Sequence, residues 1–370
     1  MSFIYNFIVL ILSIGAIQEV SKDMIIDKLY YRLIVLIMIL TAGMGYALSP
    51  DWVAYFETFK MIGETAISDI ARFGELVGME SGYLYLNYFL YSMGFDFGAL
   101  TLVVVTVSLM LKSSTFYRYA GYPMLALLMY SIPNYFFEEH VHIRQGLANA
   151  IAMYSVRYVI DRKIWHFLLC ITIGYQFHES IIVFVLAYWI VKIRVSTPVI
   201  GVAVIVAIIA NFTGLTSIID TIMQFMPVGQ DKYESYESDL MQTGEFAVGD
   251  IVKLMTVGAI MLYNKNTEDD ELYIAFRNLF LMGVVLYFFL GKGIFGIRLP
   301  GYYTVFLGLV VCRVLVNLKN ISVTRNFVFY SFFTYTIVLF FWLQIKQGHK
   351  SNFGNYRTFF HPTAVYGLWR

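Results

Sequence analysis

The chain has 370 residues, 59% of them hydrophobic and 14% charged, against about 25% charged in a typical soluble domain, which excludes an ordinary soluble globule and leaves a polytopic membrane protein. Its net charge of +1, with no long basic run, gives no footing for a nucleic-acid partner or a polybasic lipid anchor. Two cysteines, Cys170 and Cys312, each inside an apolar run, fit small buried hydrophobes better than a disulfide or a metal centre.

Apolar runs long enough to cross a hydrocarbon core of about 30 Å recur from end to end. The first, Phe3 to Ile17, lacks a basic leader and a small-residue cleavage pattern, and reads as a retained span. The second runs from about Tyr30 to Leu48. Ser49 to Gly82 is polar, with six acids and two bases, and is expected outside the membrane. Tyr83 to Ser92 is aromatic but too short to cross, so an interfacial helix belongs to the external region 49–96. Further spans are expected over Phe97 to Leu111 and Tyr122 to Phe137. Ile143 to Ile160 and Ile164 to Phe177 form a hairpin closed by Asp161, Arg162 and Lys163, which returns Arg144 and His178 to one membrane face. Ile181 to Val191 is short, as a tilted or partly re-entrant helix would be, and Val199 to about Ile219 leads into a second acidic external loop, 227–249. The last four spans cover Ile251 to Tyr263, Leu272 to Leu290, Leu299 to Leu315 and Phe327 to Ile345. The expectation is one all-α transmembrane domain over 1–370, with about twelve spans (roughly ten to fourteen) and short interfacial helices.

Basic residues in short loops stay cytoplasmic. Lys22, Lys28, Arg32, Lys112, Arg118, Arg157, Arg162, Lys163, Lys192, Arg194, Arg313, Lys319 and Arg325 all fall on one side of this count. The Arg144 and His178 ends and the stretch Gly291 to Arg298 then share the external face with both acidic segments. The acidic run Glu268 to Glu271 sits awkwardly on the basic side.

Ionisable groups near an apolar layer are costly and mark substrate paths or proton handling. The guanidinium of Arg144 is a permanently charged planar fork suited to diphosphate oxygens, and equally a side chain that snorkels to headgroups. His140, four residues earlier, shares its face if the helix extends back that far. Glu139 and Gln145 are close in sequence, Gln145 either orienting a sugar hydroxyl or packing between helices. His178 titrates near neutrality and is a candidate base, although a lone histidine at a helix end more often caps it. His140 and His142 are too sparse for zinc without a third ligand. Gly291 to Arg298 carries three glycines with Lys292 and Arg298, which fits a pyrophosphate cradle or an interfacial turn. Asp51 and Glu80 lie against the membrane at the two ends of the first acidic segment, where a fixed carboxylate is worth more than a solvated one.

Several of these residues fall into a pattern: Asp51, Trp52 and Tyr55 with Phe56 and Phe59; Glu80, Gly82 and Tyr83 with Asn87; Ile143 through Ala148; Phe177, His178 and Ser180; and Arg298 with Tyr302 and Tyr303. In this order, over about residues 45 to 305, the chain resembles the EpsG/Wzy-like family of bacterial exopolysaccharide and O-antigen polymerases. Glu179 inside the Phe-His-x-Ser element and the tail from Lys346 are departures. The resemblance implies a GT-C-like membrane glycosyltransferase at the outer face of the cytoplasmic membrane. It would move a growing glycan from undecaprenyl diphosphate to the non-reducing-end hydroxyl of an incoming lipid-linked repeat unit. On that reading Arg144 and Arg298 hold the diphosphate and His178 is the base. Gln145, His140, Glu139, Asp51, Glu80, Tyr83, Lys292, Tyr302 and Tyr303 contact substrate, and no metal or cofactor is required. Expected partners are the lipid-linked oligosaccharide, the bilayer, and a chain-length regulator and flippase of the same pathway. An O-antigen ligase shares the donor and stays open as an alternative. A flippase or transporter also stays open, although such proteins place charge near the midplane and not at one face.

Overall fold

A computed structural model describes residues 2–213, 248–267, 269–291, 294–347 and 356–360. Among these the chain is helical apart from turns and one isolated antiparallel bridge between Gly45 and Thr358. In order come α1 (Phe3–Lys22), α2 (Lys28–Gly43), α3 (Pro50–Gly63), α4 (Ile70–Val77), α5 (Ser81–Ser92), α6 (Phe97–Tyr119) and α7 (Pro123–Tyr130). They are followed by α8 (Ile143–Ile160), α9 (Ile164–Tyr175), α10 (Thr197–Phe212), α11 (Val248–Leu262), α12 (Glu271–Leu290), α13 (Ile294–Thr304), α14 (Leu307–Asn317) and α15 (Ser322–Gln347). Helix starts carry the expected caps. Asp27, Asp96 and Asp270 accept from the first amides of α2, α6 and α12, and Pro50 and Pro123 sit in first turns that have no use for an amide hydrogen.

Among the described residues, five helical stretches are long and apolar enough to cross a membrane: Phe3–Lys22, Phe97–Tyr119, Glu271–Leu290, Arg298–Asn317 and Ser322–Lys346. Ile164–Tyr175, Glu179–Ile190 and Thr197–Phe212 are shorter apolar helices. Outer faces are apolar as well as inner ones. On α1, Tyr5, Ile8, Leu12 and Ala16 are buried, while Phe3, Phe7, Leu10, Ile14 and Ile17 are exposed at helical spacing. The same outward rows occur on α9 (Trp165, Leu169, Ile173) and α10 (Val199, Val202, Val206, Ile209). Hydrocarbon, not water, is the solvent that suits both sides of such helices.

Several expected spans are broken. The run after Tyr122 leaves α-geometry at Ser131–Tyr135, a π turn in which Ile132 is extended, and resumes only as Phe136–Glu138. The short stretch after His178 is a 3₁₀ helix, Glu179–Leu186, with one α-turn, Ala187–Ile190. The polar segment after Ser49 is itself helical over α3 and α4. Its helix α3 drives Trp52, Tyr55 and Phe59 into the core. The acidic loop 227–249 lies almost wholly outside the described residues, as does Lys292.

Lys112 corrects the count of cytoplasmic bases. Helix α6 continues to Tyr119, which places Lys112 about two turns inside it and fully buried. Its Nζ lies 2.6 Å from Glu138 Oε2, 2.7 Å from Glu139 Oε1 and 3.0 Å from Tyr130 Oη. At the opposite end from Arg144, the awkward acids find partners. Asp270 pairs with Arg313, whose Nε is 2.8 Å away. Glu271 pairs with Arg194, and Lys319 reaches Asp23 at 3.2 Å. Asp270 and Glu271 therefore share one end of the molecule with these bases.

Candidate active site

Helix α8 is the centre of the site. It packs between α6 and α9, and its own composition allows that position. Gly146 admits the carbonyl of Glu138 so closely that a Cβ there would lie 2.3 Å from the oxygen. Arg144 and Gln145 occupy its first turn, immediately after a turn over residues 139–142.

Three other elements converge on that turn. Ser49 caps α3, its Oγ accepting from Trp52 N at 3.3 Å, and Asp51 and Tyr55 then share one face one turn apart. The start of α5 docks against the end of α9: Tyr83 N donates to the Gln176 carbonyl at 3.1 Å, and a Cβ on Gly82 would lie 2.5 Å from Gln176 Cβ. This close approach brings Glu80 between Arg144 and the His178 turn. Its Oε2 receives Arg144 Nη1, and its Oε1 accepts from Glu179 N at 3.3 Å. Helix α13 closes the remaining side, Gln145 Nε2 donating to the Arg298 carbonyl at 3.0 Å.

The open cavity between these elements has a volume of about 200 Å³ and is lined by Arg144, Arg298, His142, His178, Asp51 and Tyr55, with Ala54, Met79 and Gln145. Arg144 lies against Tyr55 and Tyr83, with ring centroids 5.6 and 5.8 Å from its guanidinium carbon. Its buried Nε makes no hydrogen bond among the described residues, a donor left over for an anion. His142 Nδ1 lies 3.0 Å from Asp51 Oδ2. Burial pushes the Asp51 carboxyl up, but the hydrogen bond from His142 and the charges of His142, Arg298 and Arg144 outweigh it and hold the group below its usual value. On the far wall His178 Nδ1 lies 2.6 Å from Ser180 Oγ and 3.3 Å from Ser180 N, and Ser180 Oγ is 3.0 Å from Tyr302 Oη. Among the described residues, no cluster of three or more His, Cys, Asp or Glu side chains is placed to share a metal ion.

The three groups singled out first, Arg144, His178 and Arg298, thus line one cavity with Asp51 and Gln145. Others stand elsewhere. Glu139 is buried in the Lys112 cluster, accepting from Ser108 at 2.9 Å and Tyr130 at 2.7 Å. His140 is buried with Nδ1 3.1 Å from the Tyr135 carbonyl and its ring edge-on to Tyr5 and Tyr135, and burial pushes its pKa down to about 4. The reason is local. Helix α8 starts at Ile143, so the four-residue spacing from His140 to Arg144 crosses a turn, and His142 takes the cavity position instead. Tyr83 backs Arg144. Tyr302 backs Ser180, and Tyr303 donates to the Val183 carbonyl at 2.6 Å, so neither tyrosine lines the cavity. The glycine-rich stretch is largely helical. A Cβ on Gly296 would fall on the Gly291 carbonyl, so that glycine serves backbone packing. Of the polar wall residues, the sequence assigns no role to His142 and Tyr55. The His-x-His pair, and for Tyr55 its place in the pattern with Asp51 and Trp52, are their signals in the sequence.

A search of curated proteins and of solved structures finds no match to this chain. The EpsG family model matches residues 28–358, from the start of α2 to the bridge at Thr358, and so spans every wall of the cavity and reaches into the tail. The chain belongs to the EpsG family.

Proposed function

We propose that this cavity is the transfer site of a polysaccharide polymerase acting on polyprenyl-diphosphate-linked glycans. EpsG family membership supports a polymerase-type function in general terms. The observation that carries the specific reading is the convergence of two guanidinium groups, Arg144 and Arg298, with two imidazoles in one polar cavity. At about 200 Å³ the cavity is smaller than a typical drug-sized pocket of about 300–1,000 Å³. It suits a diphosphate and the reacting hydroxyl, while glycan and prenyl chains extend beyond it. The chemistry asks for little else. A bond forms from the acceptor hydroxyl oxygen to the anomeric carbon, the anomeric carbon–diphosphate oxygen bond breaks, and its electron pair leaves on the diphosphate. The arginines stabilise that developing charge. A cavity imidazole takes the hydroxyl proton: the sequence singles out His178, and His142 stands in the same cavity. On this reading the donor is a glycan linked to undecaprenyl diphosphate, which leaves as the diphosphate, the fold is GT-C-like, and the cavity opens at the outer face of the cytoplasmic membrane.

Reconstitution with a lipid-linked repeat unit tests this. Arg144→Ala and Arg298→Ala are expected to lower chain extension by roughly 10²–10³-fold, the order seen when a transition-state charge donor is removed, with membrane insertion intact. Full-length polysaccharide from either variant overturns the assignment. A ladder of chain lengths separates polymerase from ligase, which transfers one block.

A further inference from the structure

The two cavity imidazoles are held in opposite tautomers. An ionised carboxylate only accepts hydrogen bonds, so the contact between His142 Nδ1 and Asp51 Oδ2, 3.0 Å, places a hydrogen on Nδ1, and the neutral ring then carries its lone pair on Nε2. The lowered carboxyl pKa of Asp51 agrees with an ionised carboxylate at that contact. His178 is arranged the other way. The backbone N–H of Ser180 can only donate, and it points to His178 Nδ1 at 3.3 Å while the Ser180 hydroxyl lies 2.6 Å from the same nitrogen. Nδ1 is therefore the acceptor, and the neutral ring carries its hydrogen on Nε2.

We propose that the proton acceptor of the transfer reaction is His142, oriented by Asp51, and that His178 serves as a hydrogen-bond donor to the diphosphate. This rests on the transferase reading above and assigns its proton. As the acceptor oxygen bonds to the anomeric carbon, its O–H proton passes to His142 Nε2. The resulting imidazolium is stabilised by Asp51, and the electron pair of the broken bond goes to the diphosphate, which accepts from His178 Nε2–H and from the arginines. The imidazolium then returns its proton to water. His178 cannot take a proton on Nε2 without first surrendering the hydrogen there and giving up Nδ1 as acceptor for Ser180. Ser180 and Tyr302, 3.0 Å apart, are positioning residues that hold this tautomer.

The experiment compares His142→Gln, His178→Gln and Asp51→Asn, each inserted in full-length protein, for chain extension and separately for binding of a polyprenyl diphosphate. Both histidines are partly exposed on the cavity wall, so glutamine is accommodated without a void. His142→Gln is expected to lose at least about 10²-fold in extension with donor affinity within about three-fold of wild type. Asp51→Asn follows it in the same direction, and His178→Gln weakens donor binding about ten-fold with a smaller loss of rate at saturating donor. Wild-type extension by His142→Gln overturns the assignment. So does a His178→Gln variant that binds donor normally and no longer extends. Donor binding undiminished in Arg144→Ala counts against the diphosphate reading itself, a failure seen in a different variant by a different signal.

Discussion

Gly146 shows how a single missing Cβ sets the site. The carbonyl of Glu138 occupies the space a side chain would fill, only 2.3 Å from an ideal Cβ, and the residue lies two positions after Arg144. Backbone cannot swing aside as a flexible side chain does, so Gly146→Ala must shift the first turn of α8. Overpacking of this kind costs about 1–3 kcal/mol, and the displacement carries Arg144 with it. Gly146→Ala is expected to lower both the melting temperature in detergent and the extension rate, whereas Gly258→Ala, with nothing within 4 Å, keeps both. A Gly146→Ala protein with wild-type melting and rate contradicts the close approach. At this scale much of the cavity lining was legible in the sequence. Arg144, Arg298, His178 and Asp51 stand out because charge at an apolar boundary needs a reason. The choice between His140 and His142 was not legible. It depends on where α8 begins, and a difference of two residues exchanges a buried packing ring for a cavity wall.

Helix boundaries decide the next level. Lys112 reads as a terminal base if α6 stops at Leu111, and as the hub of a buried cluster once α6 runs to Tyr119. That cluster ties three elements together: Lys112 and Ser108 from α6, Tyr130 with Glu138 and Glu139 from α7 and the turn beyond it, and Asn149 from α8, whose Nδ2 lies 2.8 Å from Glu138 Oε1. A buried ammonium between two carboxylates is strongly destabilising to break, about 3–5 kcal/mol for removal of one partner, because the remaining charges have no water to turn to. Lys112→Met is expected to abolish folded protein, measured as monodisperse material after detergent extraction. The triple change Lys112→Met, Glu138→Gln, Glu139→Gln removes the stranded charges and should restore much of the yield. Equal loss in both variants means the cluster is not held by charge balance. Nothing in a hydropathy profile separates this lysine from a loop base, since the partners lie 26 and 27 residues away and meet it only through tertiary packing.

For the molecule as a whole, ion pairs set the two ends apart. One holds Asp51, Glu80, His142, Arg144, His178 and Arg298 around the cavity. The other gathers Asp23 with Lys319 and Arg325, Asp270 with Arg313, and Glu271 with Lys192 and Arg194. Acids at the second end are neutralised by bases of that end, so its surplus of Lys and Arg survives, and a surplus of that sign in short loops is retained in the cytoplasm. On the proposed orientation the exposed Glu75, on α4 shortly before the cavity residue Met79, faces outward, and the exposed Asn320, beside Lys319, faces inward. With Cys170→Ser and Cys312→Ser as background, Glu75→Cys is expected to react with a membrane-impermeant maleimide in intact cells. Asn320→Cys should react only after the membrane is opened. The reverse pattern would turn the cavity toward the cytoplasm, where the acceptor and donor of an outer-face polymerase are absent. The transfer reaction assigned to Arg144, Arg298 and His142 would then have to use a substrate from the other side of the bilayer.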